Sequence, residues 1–543
     1  MMDELEDWYM DEDVDVGEED IGPFQHHLDR DIEEMDMIDY DDTLGENAIS
    51  VKLLTNEMLT CSLPVLKQVN SLLILILISC LFWHIVNIIL KRSFHFTGKI
   101  YHTFVTIVLH TLSVSLGLFI LHRAVYELWW IIIGLTVSLA IVFISDINSH
   151  FRHSDKQSVN WESFIVLGIC SSVQLYCELY VNPVQWHQIR GSIMIIIMKS
   201  ISFSMEQKTF YSNHVNSQPC ILLWTPLYRG LVWLSYCLCP ASLLFGPWFS
   251  PLKYEEMIRS DYSSTRFSIK NIILSLLHSV KLFGTSLVCL IYSTCSTYTL
   301  LSKLTFQPWL YAYFSSQSFR FSHYFVCISS ESFMNALGYC DKYSVKSKEK
   351  LDDDNNKEKE KSTIEVYKPY VVTRPWSIEF PRSLVEVVIH WNLPMHTWLK
   401  QYVYKPLRAY GHIYAIVGTY AASSLLHGLN FQLSAVLFSI GIYAYIEYVF
   451  REKLATILNA CVASRRCPET CSHVNKNSSW VYWWNFAFSC LAIFHLAYLA
   501  VMFDTSEQQY QGYSMWHALN KWYGLGFLSH IVAFATFLFY KYL

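Results

Sequence analysis

Long, predominantly apolar stretches recur along this chain, and they constrain its fold more than any other feature. One example is "SLLILILISCLFWHIVNIIL" at 71–90, which contains no Asp, Glu, Lys or Arg. A helix of about 20 such residues is long enough to cross a hydrocarbon core about 30 Å thick. Charged residues make up only 16% of the chain, against roughly 25% in soluble domains. The sequence therefore predicts an all-α polytopic membrane protein.

The apolar stretches predict about eleven transmembrane helices. Two further segments, at 190–202 and 383–404, are too polar or too amphipathic to span the bilayer. We expect interfacial or re-entrant helices there, because a membrane tolerates such segments only where protein or a cavity surrounds them. The helices are expected to enclose a central tunnel. The predicted spans lie at 66–90, 101–122, 124–144, 161–181, 224–246, 268–293, 318–338, 411–428, 431–450, 481–503 and 523–542.

Charge is concentrated in two segments outside the predicted spans. Residues 1–50 carry 20 Asp and Glu against a single basic residue, Arg30. Such a block cannot bury enough apolar surface to fold, so we expect 1–64 to be a disordered acidic tail. The Lys-rich segment at 342–362 is expected to be a disordered insert. The transmembrane domain is then predicted to cover 65–543, and no nucleic-acid partner is expected.

The Lys and Arg residues predict how the chain is oriented in the membrane. Connections that follow odd-numbered spans are basic, such as the one that contains Lys91, Arg92 and Lys99. Positively charged loops remain in the cytosol. We therefore expect a lumenal N-terminus and a cytosolic C-terminus. The span at 411–428 then ends on the lumenal side, and the segment at 383–404 starts from the cytosolic side.

The stretch "TYAASSLLHGLN" ends an apolar run with His427 and Gly428. Small residues on the preceding turns, including Ser423 and Ser424, let helices approach closely, and Gly428 is expected to end the helix. A histidine fixed at such an end, beside a cavity entered from the lumen, suits a general base. The alternative is a packed histidine with no chemical role. The stretch taken alone leaves both open.

A second candidate lies upstream, in "HWNLPMHTWLKQYVYKPLR" at 390–408. Asn392 falls in the predicted re-entrant segment, just before Pro394. An amide there can donate a hydrogen bond to a carbonyl oxygen that becomes an oxyanion. It can equally cap the helix that begins at Pro394. The two roles are compatible, and the sequence does not separate them.

The segment "CVASRRCPETCSH" brings Cys461, Cys467, Cys471 and His473 within thirteen residues. These are potential zinc ligands, but their spacing fits no standard zinc knuckle, and cysteines beside a membrane are also acylated. Packed free thiols are a third possibility, and a disulfide is disfavoured because the predicted orientation places this loop in a reducing compartment. No metal is assigned. The 15 cysteines are scattered along the chain, so no secreted disulfide framework is predicted.

Several of these segments together resemble the membrane-bound O-acyltransferase (MBOAT) family. "WNLPMHTWLKQYVYKPL" and "TYAASSLLHGLNFQLSAVLFSI" are similar to the Asn and His regions of that family, with Asn392 and His427 separated by 35 positions. The resemblance extends over roughly 65–543. Further similar segments are "QWHQIRGSIMIIIMKSISF", "LLFGPWFSP", "NACVASRRCPETCSH" and "LAIFHLAYLAVMFD".

The resemblance implies the MBOAT fold and a protein-serine O-acyltransferase in the endoplasmic reticulum membrane. It implies transfer of palmitoleate from palmitoleoyl-CoA to a serine of Wnt proteins, with no permanently bound cofactor. The family's His corresponds to His427 and its Asn to Asn392. Residues around these two are expected to bind the acyl-CoA. They are Trp391, Trp398, Tyr402, Lys405, Arg408, Ser423 and Ser424.

The role of two basic residues and the function of the chain both have alternatives that the sequence leaves open. Lys405 and Arg408 could hold the CoA phosphates, but cytosolic loops are basic without any ligand. Another MBOAT activity on a lysophospholipid or sterol acceptor would use the same His and Asn. A transporter is the third possibility, although no similarity between the two halves of the chain suggests inverted repeats.

Overall fold

A computed structural model describes most of the chain beyond the acidic tail. Residues 1–45, which hold most of the predicted tail, and 347–362, which hold most of the predicted insert, lie outside the described residues. The described residues are 46–92, 99–125, 127–145, 161–206, 225–259, 269–297, 301, 307–346, 363–468, 471–476, 478–503 and 515–543.

Within these ranges the chain consists of helices and one short hairpin, so the predicted fold class is confirmed. The first nine helices are α1 Glu46–Arg92, α2 Lys99–Ala124, α3 Trp129–Ser145, α4 Trp161–Tyr180, α5 Pro183–Met205, α6 Thr225–Cys237, α7 Pro251–Arg259, α8 Ile269–Ile291 and α9 Pro308–Ala336. A π-helical turn, Tyr292–Ser296, extends α8.

The hairpin follows α9, and the second half of the chain is helical again. The hairpin strands are β1 Cys340–Lys346 and β2 Thr363–Pro369. The later helices are α10 Pro375–Glu379, α11 Leu384–Trp391, α12 Leu393–Leu399, α13 His412–Leu426, α14 Phe431–Leu458, α15 Ser479–Ala500, α16 Met515–Gly524 and α17 Leu528–Tyr542. A π-helical turn (Lys400–Tyr404), a single helical turn (Lys405–Leu407) and a 3-10 turn (Arg408–Tyr410) join α12 to α13.

Six helices in the described part are long and apolar enough to cross a membrane, namely α1, α2, α4, α8, α14 and α15. A seventh span results if α16 and α17, which meet at an angle of 72°, are counted as one. The expected number of about eleven is not confirmed. Several predicted spans differ because a helix enclosed by other helices tolerates polar residues, while a short helix fails to reach across.

Two helices illustrate how burial changes the prediction. The segment at 190–202, expected to be interfacial or re-entrant, is part of the longer helix α5, most of which is buried, including Lys199. Helix α9 begins ten residues before the predicted span at 318–338 and buries Arg320, His323 and Glu331. Their polar side chains hydrogen-bond to groups in other segments of the protein.

The boundaries of the predicted tail and insert are corrected by the structure. Helix α1 already begins at Glu46, so 46–64 are helical. The charge argument applied to the first 50 residues only, and the following residues include good helix formers such as Leu and Met. The insert cannot begin before 347, because residues 342–346 belong to β1, which pairs antiparallel with β2.

A disulfide that the sequence did not predict ties the first helix to the eighth. Cys61 of α1 and Cys295 in the π-helical turn after α8 are joined, although 234 positions separate them in the chain. Thr297, which caps this turn, donates to the Ser318 hydroxyl of α9 at 3.2 Å. The disulfide therefore lies at the end of the bundle where α9 begins.

Candidate active site

A cavity of about 130 Å³ lies between α9, α11, α12, α13, α14 and α15. Its wall is mostly aliphatic and aromatic, which suits an apolar occupant. His427 and Trp391 are part of the wall. The aliphatic part includes Val387, Val388, Leu433, Val436, Leu437 and Ile440.

His427 directly follows α13, and its geometry comes from the way that helix ends. The His427 N–H donates to the Ser424 carbonyl at 3.2 Å, and the Gly428 N–H donates to the Leu425 carbonyl at 3.1 Å. Gly428 then adopts φ +91°, which favours glycine. A Cβ at this position would lie 2.7 Å from Glu178 Oε2. The prediction that Gly428 ends the helix is confirmed.

Small residues bring α13 and α14 close together beside His427. A Cβ on Gly441 of α14 would lie 2.7 Å from the Tyr420 ring of α13, so only glycine permits this approach without a shift. The Ser424 and Ser434 hydroxyls hydrogen-bond across the same interface. Tyr420 and Ser423 both line the cavity. The close approach of α13 and α14 therefore adds polar side chains to the cavity wall.

Asn392 occupies the junction between α11 and α12. Its backbone is extended, with φ −146° and ψ 107°, and its side-chain oxygen accepts from the Met395 N–H at 3.0 Å. Asn392 is thus the N-cap of α12, one of the two roles that the sequence allowed. Trp391 and Met395 line the cavity, and Asn392 is not among the lining residues.

Helix α9 holds the chain on both sides of this junction. The Glu331 carboxylate accepts from the backbone N–H groups of Val372 at 2.6 Å and Thr373 at 2.9 Å. The Val372 carbonyl then accepts from the Leu393 N–H at 2.7 Å, and the Thr373 hydroxyl donates to the His390 carbonyl at 3.1 Å. The backbone N–H and carbonyl groups of this extended segment thereby find hydrogen-bond partners inside the protein.

Helix α14 holds the start of α11 in a similar way. The Glu447 carboxylate accepts from the Leu384 N–H at 2.8 Å and pairs with Arg451 at 2.9 Å. Arg451 also donates to the Arg382 carbonyl at 2.7 Å. Glu447 and Arg451 are both almost fully buried, so each side chain needs the opposite charge of the other.

His323 of α9 fixes the position of Trp391. The two rings stack with centroids 4.5 Å apart and planes 10° apart, and His323 Nε2 lies 2.9 Å from the Trp391 carbonyl oxygen. The histidine thus contacts both the side chain and the backbone of the residue before Asn392. The sequence reasoning did not select His323, although a histidine inside a predicted span is a recognisable signal.

The sequence reasoning also missed a buried ion pair at the cavity. Arg320 lies in the wall and pairs with Glu379 of α10, with Nε to Oε1 at 2.7 Å and Nη2 to Oε2 at 3.0 Å. Its Nη1 donates to the Ser316 hydroxyl at 2.5 Å, and Tyr324 donates to Glu379 at 2.8 Å. Arg320 was detectable as a charge within an otherwise apolar predicted span.

Of the residues predicted to bind acyl-CoA, some line the cavity and others lie outside its wall. Trp391 and Ser423 line the cavity. The Ser424 hydroxyl lies in the interface between α13 and α14. Lys405 is exposed and Arg408 is half-buried, and neither is part of the cavity wall.

Two predicted aromatic residues anchor α12 and the π-helical turn after it to the preceding half of the chain. Trp398 donates from Nε1 to the Met198 carbonyl of α5 at 3.0 Å. The Tyr402 hydroxyl hydrogen-bonds to the Glu206 carboxylate, and its ring packs edge-on against Trp248 with centroids 5.8 Å apart. Trp398 and Tyr402 therefore make structural contacts outside the cavity wall.

Known proteins resemble this chain over most of its length. A human protein named "Protein-serine O-palmitoleoyltransferase porcupine" is 33% identical over 458 residues, which cover 80% of this chain and 88% of the human one. The MBOAT (membrane-bound O-acyltransferase) family model matches residues 227–457. The chain belongs to the porcupine group of the MBOAT family. Relatives of the same name from Anopheles gambiae and Drosophila melanogaster are 34% and 30% identical, covering 69% and 66% of this chain and 74% and 65% of their own.

The MBOAT match includes both candidate catalytic residues. It extends from α6 to near the end of α14, and so covers Asn392, His427 and most of the cavity wall. As a member of this family, the chain is an acyltransferase and a multi-pass membrane protein. Its apolar cavity is of the kind that an acyl group requires.

Proposed function

We propose that this chain transfers palmitoleate from palmitoleoyl-CoA to a serine hydroxyl of Wnt proteins, with His427 as the general base. The observation that carries the proposal is the position of His427 in the wall of an apolar cavity. The similarity to protein-serine O-palmitoleoyltransferases supports the acyl group and the serine acceptor. The Wnt acceptor is proposed on the family resemblance of the segments that contain Asn392 and His427.

In the proposed reaction the His427 imidazole accepts the proton of the serine hydroxyl while the serine oxygen attacks the thioester carbonyl. The C–S bond then breaks, and the imidazolium returns the proton to the departing CoA thiolate. The products are a serine ester and free CoA, and the histidine is regenerated. General base catalysis of this kind contributes roughly 10²–10⁴-fold to the rate.

Asn392 is proposed to stabilise the oxyanion that forms on the thioester carbonyl. Its helix cap uses the acceptor end of the amide, since Oδ1 accepts from Met395 N–H. Stabilising an oxyanion requires the donor end, the NH₂ group. One side chain can therefore perform both functions, provided that the cap holds the amide in a fixed orientation.

The acyl chain is proposed to occupy the aliphatic part of the cavity, beside Val387 and Leu437. Arg320 and Ser316 border the same cavity. Lys405 and Arg408 lie on the turns that leave α12 and are proposed to hold the CoA phosphates. Their basic character has a second cause in membrane orientation, so their role needs its own test.

The endoplasmic reticulum membrane is the proposed location, with the N-terminus in the lumen and the C-terminus in the cytosol. The disulfide between Cys61 and Cys295 supports this orientation, because disulfides persist in oxidising compartments. His427 is proposed to lie toward the same face. Two contacts support this placement, because both join to the C-terminal end of α15. Ser316, near the start of α9, donates to the Leu496 carbonyl, and Gln432, shortly after His427, hydrogen-bonds to the Met502 carbonyl. The start of α9 and the segment after His427 therefore lie at the same end of the bundle.

The experiment is an acylation assay with purified protein, labelled palmitoleoyl-CoA and a Wnt-derived peptide. We expect label on the peptide, none on a peptide whose acceptor serine is replaced by alanine, and none on lysophospholipid or sterol acceptors. Label on a lipid acceptor instead would replace the protein-acylation proposal by another MBOAT activity. Binding of acyl-CoA without transfer to any acceptor would contradict an enzymatic function for this cavity.

Orientation is tested separately with tags in sealed microsomes. A tag before Asp3 should be protected from protease, and one after Leu543 should be digested. The same response at both ends would overturn the proposed topology without affecting the acylation assay.

A further inference from the structure

Four side chains with metal-binding atoms converge in the loop between α14 and α15. We call them the thiol cluster, and they are Cys461, Cys467, Cys471 and His473. All four ligand atoms lie within 4.8 Å of one another, and all four residues are half-buried. The cluster lies outside the candidate active site, near the N-terminal end of α15, whereas His427 lies toward its C-terminal end.

The spacing of these atoms matches the edges of a zinc tetrahedron. Zn–S bonds of about 2.3 Å and Zn–N bonds of about 2.0–2.1 Å place neighbouring ligand atoms about 3.5–3.8 Å apart. Cys461 Sγ and Cys471 Sγ are 3.5 Å apart. His473 Nδ1 lies 3.7 Å from Cys461 Sγ and 3.6 Å from Cys467 Sγ. Three separate pairs therefore have the distances that one shared ion would give.

The backbone around the cluster brings its two ends together. Asn459, in the left-handed region at φ 47°, ends α14, and its carbonyl accepts from the Asn475 N–H at 3.0 Å. The Asn475 carbonyl accepts from the Cys461 N–H at 3.4 Å, and the Asn475 amide donates to the Leu458 carbonyl at 3.2 Å. The first and last ligands are thus held side by side by contacts that do not involve their side chains.

We propose that the thiol cluster binds one zinc ion as a structural Cys₃His site. Three thiols lose their protons to become ligands, and the imidazole binds through Nδ1. Four protein ligands complete a tetrahedron and leave no open position for a substrate, which is the arrangement of structural rather than catalytic zinc. The proposal is independent of the acyl acceptor and of the role of His427.

Other fates of these thiols fit the geometry less well. A disulfide between Cys461 and Cys471 would need sulfur atoms about 2.05 Å apart, and would leave Cys467 and His473 facing each other without a function. Acylation requires an accessible thiol, and Cys490 on α15 is more exposed than any thiol of the cluster. Convergence of three sulfur atoms on one histidine is explained by a shared ion.

The zinc ion would stabilise the segment that supports α11. The Cys461 carbonyl accepts from Arg382 Nη2 at 2.8 Å, and the Ala463 carbonyl accepts from Arg382 Nε at 3.1 Å. The Ser464 carbonyl accepts from the hydroxyl of Ser383 at 3.0 Å, and Ser383 is the N-cap of α11. Ordering of the loop by zinc therefore extends directly to the helix that ends at the candidate active site.

The test measures zinc in the full-length protein purified in detergent without chelators. About one zinc ion per chain is expected in the wild type and in Cys490→Ser, the control for loss of a thiol outside the cluster. Cys467→Ser and His473→Ala should lose most of the zinc. If the wild type contains no zinc and takes up none when zinc chloride is added, the proposal fails. Full zinc content in both cluster variants would also overturn it.

A second measurement uses the wild type alone, so it does not depend on variants that fold. Removing zinc with a chelator should lower the melting temperature, and adding zinc chloride should restore it. Alkylation in denaturant with chelator and without reductant should label Cys461, Cys467 and Cys471. A Cys461–Cys471 disulfide, or an acyl group on any of the three, would appear in the peptide masses and would replace the zinc proposal.

Discussion

The two candidate catalytic residues are held in opposite ways. His427 follows a regular helix, and carbonyl groups of the preceding turn accept from the N–H groups of His427 and Gly428. Asn392 lies in extended backbone between two short helices, and buried charges on α9 and α14 satisfy the chain around it. A helix end needs few outside partners, whereas extended backbone inside a membrane protein needs a partner for every N–H and C=O group.

This difference predicts where mutations act. Around His427 the substitution of a single side chain should affect chemistry more than stability, because the helix provides its own backbone bonds. Around Asn392 stability and chemistry should change together, because Glu331, Glu447 and Arg451 hold the segment that carries it.

His427→Ala should lower the acylation rate by roughly 10²–10⁴-fold, because it removes the proposed general base. The melting temperature should change little. His412→Gln is the matched control, since His412 begins the same helix and does not line the cavity. Initial rates at saturating acyl-CoA and thermal unfolding measure the two effects. Normal turnover by a well-folded His427→Ala protein would exclude His427 as the base.

Asn392→Ala should lower the rate by about 10²–10³-fold if the amide stabilises the oxyanion. Loss of the helix cap should also cost about 0.5–2 kcal/mol of stability. Asn392→Ser separates the two, because serine also caps helices but has no amide. A Ser variant with restored stability and low activity supports the oxyanion role. Recovery of both properties would assign Asn392 to capping alone.

Glu331→Ala should destabilise the protein, because the N–H groups of Val372 and Thr373 lose their acceptor, at about 1–3 kcal/mol for each buried group. Glu331→Gln is the control, since its amide oxygen can still accept from both. We expect a lower melting temperature and lower yield for the alanine variant only. Equal stability of the two variants would mean that α9 does not hold this segment through Glu331.

Ser423→Ala and Ser424→Ala form the pair with the smallest expected effects. Ser423 lines the cavity, so its loss should change the Michaelis constant for acyl-CoA without changing the melting temperature. Ser424 contacts Ser434 across the interface between α13 and α14, so its loss should cost about 0.5–1.5 kcal/mol of stability. The reverse pattern would mean that the cavity wall has been assigned incorrectly.

Features with a local cause were predictable from the sequence. The helix end at Gly428 and the capping role of Asn392 follow from residue types with strong conformational preferences, and both are present in the structure. The membrane class followed from apolar segments alone. Family resemblance, rather than periodicity, connected Asn392 with His427.

Features that depend on distant contacts were not predictable. The Cys61–Cys295 disulfide joins positions 234 residues apart, and no local pattern indicates such a pairing. Arg320 and Glu379 are 59 positions apart, and only the folded chain shows that each satisfies the other's charge. The expected number of about eleven spans was not confirmed for a related reason, because hydropathy does not distinguish contact with lipid from contact with protein.

The β1–β2 hairpin offers a practical way to image this protein. Lys346 and Thr363 are paired, so the two ends of the intervening segment lie side by side, and neither strand is part of the cavity wall. A folded domain or antibody epitope inserted between them would leave the strand register unchanged, and doubling the length of a loop costs only about 0.6 kcal/mol. Such a fusion would give electron micrographs an added feature by which particles can be aligned.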